Sequence, residues 1–316
     1  MFLKLRAFST LRAFSTLRAF STASPPVPPL VTAAWLQDHY SSDSVKVVDA
    51  SWYLPAMGRD GRGEYLERRI PGAAFFDIDQ TDDTSGLPHM LPSAGFFAEA
   101  MTSCGVGNED HVVCYDGKGI FSAPRLWWML RAFGHERVSV LDGGLPAWLA
   151  AAGPTETGPP SGPPRGPTRF SASVRAGAVT EAAQLLEYVG AAAIPTAPLI
   201  VDARAQGRFE GTAPEPRPDC RLGHIPGSRN LPFSKLLDEA TGTMLPVEQL
   251  GRVFAAAAID LRASRPIVTS CGSGVTAAVV QLAMACAGRE EGVSLYDGSW
   301  SEWGSDTSKP LATGPA

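Results

Sequence analysis

Thr269-Ser270-Cys271-Gly272-Ser273-Gly274-Val275-Thr276-Ala277 joins two segments of different character. Before it, Pro266-Ile267-Val268 begins a short apolar run that predicts a buried strand over 266–270. After it, an Ala/Val-rich stretch predicts a helix over about 275–287. Strand, tight turn and helix are the repeating unit of an α/β fold. In an open parallel sheet the turn at the strand's carboxyl end is where ligands bind. Small residues let backbone amides curl around the cysteine sulfur, and the helix adds its positive end. Such surroundings favour a thiolate nucleophile. The alternative is a core cysteine, since free cysteines are commonly buried; the Gly-Ser-Gly context argues against it.

Working outward, the same landmarks occur twice. Val47-Val48-Asp49-Ala50 resembles Ile200-Val201-Asp202-Ala203, and Ile70-Pro71-Gly72-Ala73 resembles Ile225-Pro226-Gly227-Ser228. Val112-Val113-Cys114-Tyr115-Asp116-Gly117 aligns with Ile267-Val268-Thr269-Ser270-Cys271-Gly272, and Leu141-Asp142-Gly143-Gly144 with Tyr296-Asp297-Gly298-Ser299. Pro71 to Asp116 is 45 residues, as is Pro226 to Cys271; Asp116 to Asp142 is 26, as is Cys271 to Asp297. Repeats of this kind mark duplicated structural units. Asp116 therefore stands where the other half has Cys271, and the chemistry belongs to the second half.

Alternating apolar runs and helical stretches predict two α/β domains, each a mostly parallel sheet flanked by helices. In the first half, strands are expected near 45–49, 73–77, 111–115 and 137–141, with helices near 31–40, 93–104, 121–133 and 144–151. In the second, strands are expected near 198–202, 228–231, 266–270 and 293–296, with helices near 180–190, 246–258 and 275–287. The divisions read from the sequence are 1–26, a presequence-like segment; 27–152, a first, non-catalytic domain; 153–168, a Pro/Gly-rich linker; and 169–316, a second, catalytic domain.

The chain has 316 residues, a formal net charge of −5 and 44% hydrophobic residues, which suits a globular protein and gives no support for nucleic-acid binding. No run reaches the roughly 20 apolar residues of a membrane span. Cys104, Cys114, Cys220, Cys271 and Cys286 are scattered, with no zinc-type spacing, so free thiols, no metal and no organic cofactor are expected. The segment 1–26 is acid-free, carries Lys4, Arg6, Arg12 and Arg18, and repeats Leu-Arg-Ala-Phe-Ser-Thr from Leu5, Leu11 and Leu17. It reads as an organellar transit peptide, mitochondrial ahead of plastid, with a low-complexity tail and a cytoplasmic location as the alternatives.

The Cys271–Ala277 loop resembles that of the tandem-domain rhodanese family of sulfurtransferases, and of its 3-mercaptopyruvate branch in particular. The motifs Asp49-Ala50-Ser51-Trp52-Tyr53-Leu54-Pro55, Arg69-Ile70-Pro71-Gly72-Ala73-Ala74-Phe75-Phe76-Asp77-Ile78-Asp79 and Tyr296-Asp297-Gly298-Ser299-Trp300-Ser301-Glu302-Trp303 resemble that family's too, as does the segment Arg208 to Arg217. The resemblance implies that Cys271 takes sulfur from 3-mercaptopyruvate, releases pyruvate and becomes a persulfide. Its acceptor would be cyanide, a small thiol or a thioredoxin-like protein. It implies that the loop residues Gly272, Gly274, Val275 and Thr276 hold the anion through their amides, and that Arg208 and Arg217 bind the substrate carboxylate. It links Asp79 and Ser273 with proton handling and places His89 in the same cleft, so the site would lie between the domains.

For these residues structural roles stand beside the functional ones. Ser273 also suits a helix start, and His89 could be a surface loop residue. His224 is expected to order its loop, Asp49 and Asp202 to serve as strand-end hydrogen-bonding groups, and Trp127, Trp128, Trp300 and Trp303 to be core or interface residues. Phosphatases use similar modules but close the loop with an arginine; here Ala277 is sixth after Cys271 and no arginine follows until Arg289. Thiosulfate transfer would favour basic residues beside the cysteine, where Gly272 and Ser273 stand. A non-catalytic binding module is the remaining reading, and the intact loop with its two arginines argues against it.

Overall fold

A computed structural model describes residues 26–160, 169–192 and 194–315. Apart from Pro26, the presequence-like segment lies outside the described residues, as does 161–168 of the linker.

In the first half the order is β1 (Leu30–Val31), α1 (Ala33–His39), β2 (Val45–Asp49), α2 (Gly61–Glu67), β3 (Ala74–Phe75), α3 (Ala94–Ser103), β4 (His111–Tyr115), α4 (Ala123–Ala132), β5 (Val138–Leu141) and α5 (Gly144–Ala150). The second half runs β6 (Val179–Thr180), α6 (Ala182–Gly190), β7 (Leu199–Asp202), α7 (Gln206–Glu210), β8 (Arg229–Asn230), α8 (Val247–Ala256), β9 (Ile267–Ser270), α9 (Val275–Cys286), β10 (Val293–Tyr296) and α10 (Ser299–Trp303). The sheets are ordered β1-β5-β4-β2-β3 and β6-β10-β9-β7-β8, element for element the same, with every pairing parallel. The duplication read from spacing is therefore a duplication of topology.

The long apolar runs became strands and helices where expected. The short edge strands β1 and β6 and the helices α2, α7 and α10 were not anticipated. Two-residue strands and five- to seven-residue helices carry too little periodicity to read. Parallel strands are covered on both faces, which is why β4 and β9 are buried along their whole length.

The domains meet through α4 and α9, which pack against each other. Each is squeezed between its own sheet and its twin. Thus α9 is buried from Val275 almost throughout and has no polar face, which explains its composition. The ends of β5 and β10 reach across: Met244 N–H donates to Asp142 Oδ1 (2.8 Å) and Leu91 N–H to Asp297 Oδ2 (2.6 Å), one bond in each direction. The linker is less free than its composition suggests. Glu156 bridges Arg69, and Pro154 O accepts the Trp148 indole N–H (2.8 Å). Residues 169–175 also run along the first half, where Phe170 packs against Phe97 and His135.

Candidate active site

Cys271 follows the central strand β9 directly and is 2% exposed. The start of α10 takes the loop's carbonyls: Trp300 N–H donates to Cys271 O (3.0 Å), and both Ser301 N–H (2.9 Å) and Ser301 Oγ (2.6 Å) donate to Gly272 O. With the carbonyls turned outward, the amides of Gly272, Ser273, Gly274, Val275 and Thr276 meet no acceptor among the described residues. Gly274 caps α9 with φ +80°, a conformation that favours glycine. A ring of free amides at a helix start holds an anion well.

The twin loop shows such a ring filled. Asp116 Oδ1 accepts the amides of Lys118 (2.9 Å) and Gly119 (3.0 Å); Oδ2 accepts those of Phe121, Ser122 and Ala123 (each 2.9 Å). Asp116 is fully buried.

Both candidate arginines reach the Cys271 loop. A Cβ on Gly272 would lie 3.1 Å from Arg208 Nη2 and 3.9 Å from Arg217 Nη1. Arg208 is aimed by Glu215, which accepts its Nε–H (3.2 Å) and Nη2–H (2.5 Å); Glu215 is itself held by the buried Arg204 (2.7 Å), which is paired with Asp202. The Arg217 guanidinium makes no hydrogen bond with the described residues. A partly exposed guanidinium without an acceptor, beside an amide ring, is suited to a carboxylate.

The first domain supplies another wall. Asp79 Oδ2 accepts the Trp52 indole N–H (2.8 Å), and Oδ1 lies 2.5 Å from His89 Nδ1. Burial pushes the Asp79 carboxyl up, but contact with His89, the Trp52 bond and the field of Arg217 outweigh it and hold it below the usual carboxylate range. His89 is buried, edge-on to Trp52, with φ +59°, so it is no surface loop residue. Ser273 is buried in the loop, and its hydroxyl makes no hydrogen bond with the described residues.

Arg125 escaped sequence reading. From α4 it forms a buried ion pair with Asp297 (2.7 Å) and donates to His89 O, while its Nη1 would lie 2.6 Å from a Cβ on Gly274. It thus joins the His89 loop, the end of β10 and the Cys271 loop. Its signal was absent because its partners are remote in sequence. The expected structural residues behave as such: His224 stacks on Phe209 and bonds its carbonyl (2.8 Å), and Trp127, Trp128, Trp300 and Trp303 are buried. Burial pushes the Cys104 and Cys286 thiols up to about 12, and pushes the Cys114 thiol well above its ordinary value, which leaves them protonated. Among the described residues no cluster of metal-ligating side chains occurs.

The rhodanese-like domain family matches residues 32–151 and 181–306. The chain belongs to that family. The two matches fall on the two sheets, whose central strands β4 and β9 lead into Asp116 and Cys271. The chain is 47% identical over 281 residues to the 3-mercaptopyruvate sulfurtransferase of Rattus norvegicus, covering 87% of this chain and 91% of that one. It is 40% identical over 308 residues to the thiosulfate/3-mercaptopyruvate sulfurtransferase 1, mitochondrial, of Arabidopsis thaliana, covering 90% and 78%. The crystal structure of SseA from Escherichia coli, a 3-mercaptopyruvate sulfotransferase of rhodanese fold, superimposes with a TM-score of 0.76 at 39% identity, covering 87% of this chain and 99% of that one.

Proposed function

We propose that this rhodanese-like chain transfers sulfur from 3-mercaptopyruvate to a thiol or cyanide through a persulfide on Cys271. The observation that carries the reading is the set of acceptor-free amides from Gly272 to Thr276, with two guanidinium groups beside Gly272. The donor's carboxylate meets Arg208 and Arg217. The Cys271 thiolate attacks the donor sulfur, and an S–S bond forms as the C–S bond breaks. The bonding pair leaves with the carbon as the enolate of pyruvate, which takes a proton. The terminal sulfur of the persulfide carries negative charge, which the amide ring stabilises. An acceptor thiolate or cyanide then attacks that outer sulfur and releases Cys271 as thiolate. Asp79, His89 and Ser273 are the groups we assign to proton delivery. Thioredoxin-like proteins and small thiols are the acceptor class.

Thiosulfate is the competing donor, and the Arabidopsis relative carries both names. Gly272 and Ser273 add no cation of their own to Arg208 and Arg217, which favours the monoanionic mercaptopyruvate over the thiosulfate dianion. Steady-state kinetics with both donors decide this: kcat/KM should be higher for 3-mercaptopyruvate, and equal or better use of thiosulfate would overturn the assignment. Mass spectrometry after donor treatment should find one added sulfur atom on Cys271. The composition of residues 1–26 supports import into mitochondria, so a reporter fused to them should reach that compartment.

A further inference from the structure

Left-handed backbone is sterically disfavoured for any residue with a Cβ. Among the described residues the non-glycines with positive φ are His89, Ala152, Ala258 and Ser299. Ser299, at φ +50°, begins α10 and is fully buried. Its twin in the first half is Gly144, at φ +55°. The two turns otherwise repeat: Leu145 N–H donates to Asp116 O as Trp300 N–H donates to Cys271 O, each at 3.0 Å. At Gly144 a Cβ would come within 2.4 Å of the carbonyl oxygens of Asp116 and Gly119, so the first half has no room for a side chain. The second half makes that room and fills it. Ser299 Oγ accepts the N–H of Cys271 (3.2 Å) and donates to Tyr296 O (2.9 Å). The strained residue therefore touches the nucleophile's own amide, and the half without a nucleophile uses the unstrained glycine.

We infer that Ser299 is a positioning residue, kept in a left-handed conformation because its hydroxyl pins the Cys271 amide. Fixing that N–H sets the direction of the bond carrying the sulfur. It also presents the following amides, Gly272 to Thr276, to the anion. Persulfide chemistry needs one sulfur aimed first at a donor and then at an acceptor, so a small error in direction is costly. Backbone strain held at a site by such a bond is a recognised form of preorganisation.

The inference rests on the sulfur-transfer reading and is tested with Ser299→Gly and Ser299→Ala in the full chain. Glycine removes both the hydroxyl and the strain; alanine removes the hydroxyl and keeps the strain. Three quantities are compared with the unsubstituted chain: kcat and KM for 3-mercaptopyruvate, the rate of Cys271 alkylation by iodoacetamide, and the urea unfolding midpoint. Both variants should lose about tenfold in kcat, the size of one hydrogen bond, with KM little changed and alkylation slowed alongside. Their stabilities should differ, Ser299→Gly unfolding at higher urea than Ser299→Ala. Unaltered kcat and alkylation in Ser299→Gly, or activity losses that merely follow the order of stability, would overturn the inference. If the unsubstituted chain fails to turn over mercaptopyruvate, the functional reading falls, and the alkylation rates still decide the role of Ser299.

Discussion

After β4, Asp116 closes its own loop: its carboxylate takes five backbone amides, from Lys118, Gly119, Phe121, Ser122 and Ala123. After β9, the corresponding loop carries Cys271, and the amides from Gly272 to Thr276 meet no acceptor among the described residues. The arginines differ in the same sense. In the first half Arg59 lies over the Asp116 loop but is occupied, donating to Glu64 through Nε and Nη2 and to Gly117 O, with Tyr53 stacked beneath it. In the second half the Arg217 guanidinium makes no hydrogen bond with the described residues, and Arg208 binds Glu215 through one edge alone. One strand-turn-helix unit is thus a structural brace when its anion is built in and a reactive site when its anion is transient. The lesson is that the backbone makes the anion hole, and the residue at its mouth decides what it is for.

The comparison can be broken most severely at Cys271. Cys271→Ser should lower sulfur transfer more than about a thousandfold, with unfolding free energy within about 1 kcal/mol of the unsubstituted chain. Retained turnover would place the nucleophile elsewhere. Asp116→Ala should do the reverse to stability. It strands buried amides, and denaturant unfolding should report a loss of about 3–5 kcal/mol; a loss below about 1 kcal/mol would show that the carboxylate is no brace.

The strand-end aspartates sharpen the contrast. Asp202 is paired with Arg204, whereas Asp49 has no such cation among the described residues and burial pushes its carboxyl up to about 6. The folded state therefore holds the Asp49 proton more tightly than the unfolded chain does. That contribution is complete below about pH 4 and is lost as pH rises through 6, a change of up to about 3 kcal/mol. Asp49→Asn keeps an acceptor for the Ser51 amide and should flatten stability between pH 4 and 6. An unchanged pH slope would dismiss the effect. The smallest effect concerns the arginines. Arg217→Ala should raise KM for 3-mercaptopyruvate about tenfold with kcat nearly kept, whereas Arg59→Ala should leave KM alone. Equal KM values in both variants would remove Arg217 from the substrate site.

Much of this was legible in the chain, for identifiable reasons. Landmarks at identical spacing announced the duplication, and the largely apolar runs that became β4, β9 and α9 announced a parallel sheet with a buried helix against it. Cys271, Gly272 and Gly274 were visible because they are contiguous and the local backbone creates their chemistry. Arg125, Asp297 and Ser299 were not, because each acts on a group far away in sequence. Arg125 reaches across the domain boundary to Asp297 at the end of β10, and Ser299 reaches back 28 residues to Cys271.

Local order therefore decided by itself that the chain would fold as two matched α/β units with one reactive cysteine, since strand period, helix period and turn residues depend on neighbours alone. Only the tertiary structure decided which amides would be left without acceptors, which arginine would remain unpaired, and where a serine would be held left-handed. Those outcomes depend on how α4 meets α9 and how α10 draws the loop carbonyls aside, and such contacts between distant segments have no periodicity to read.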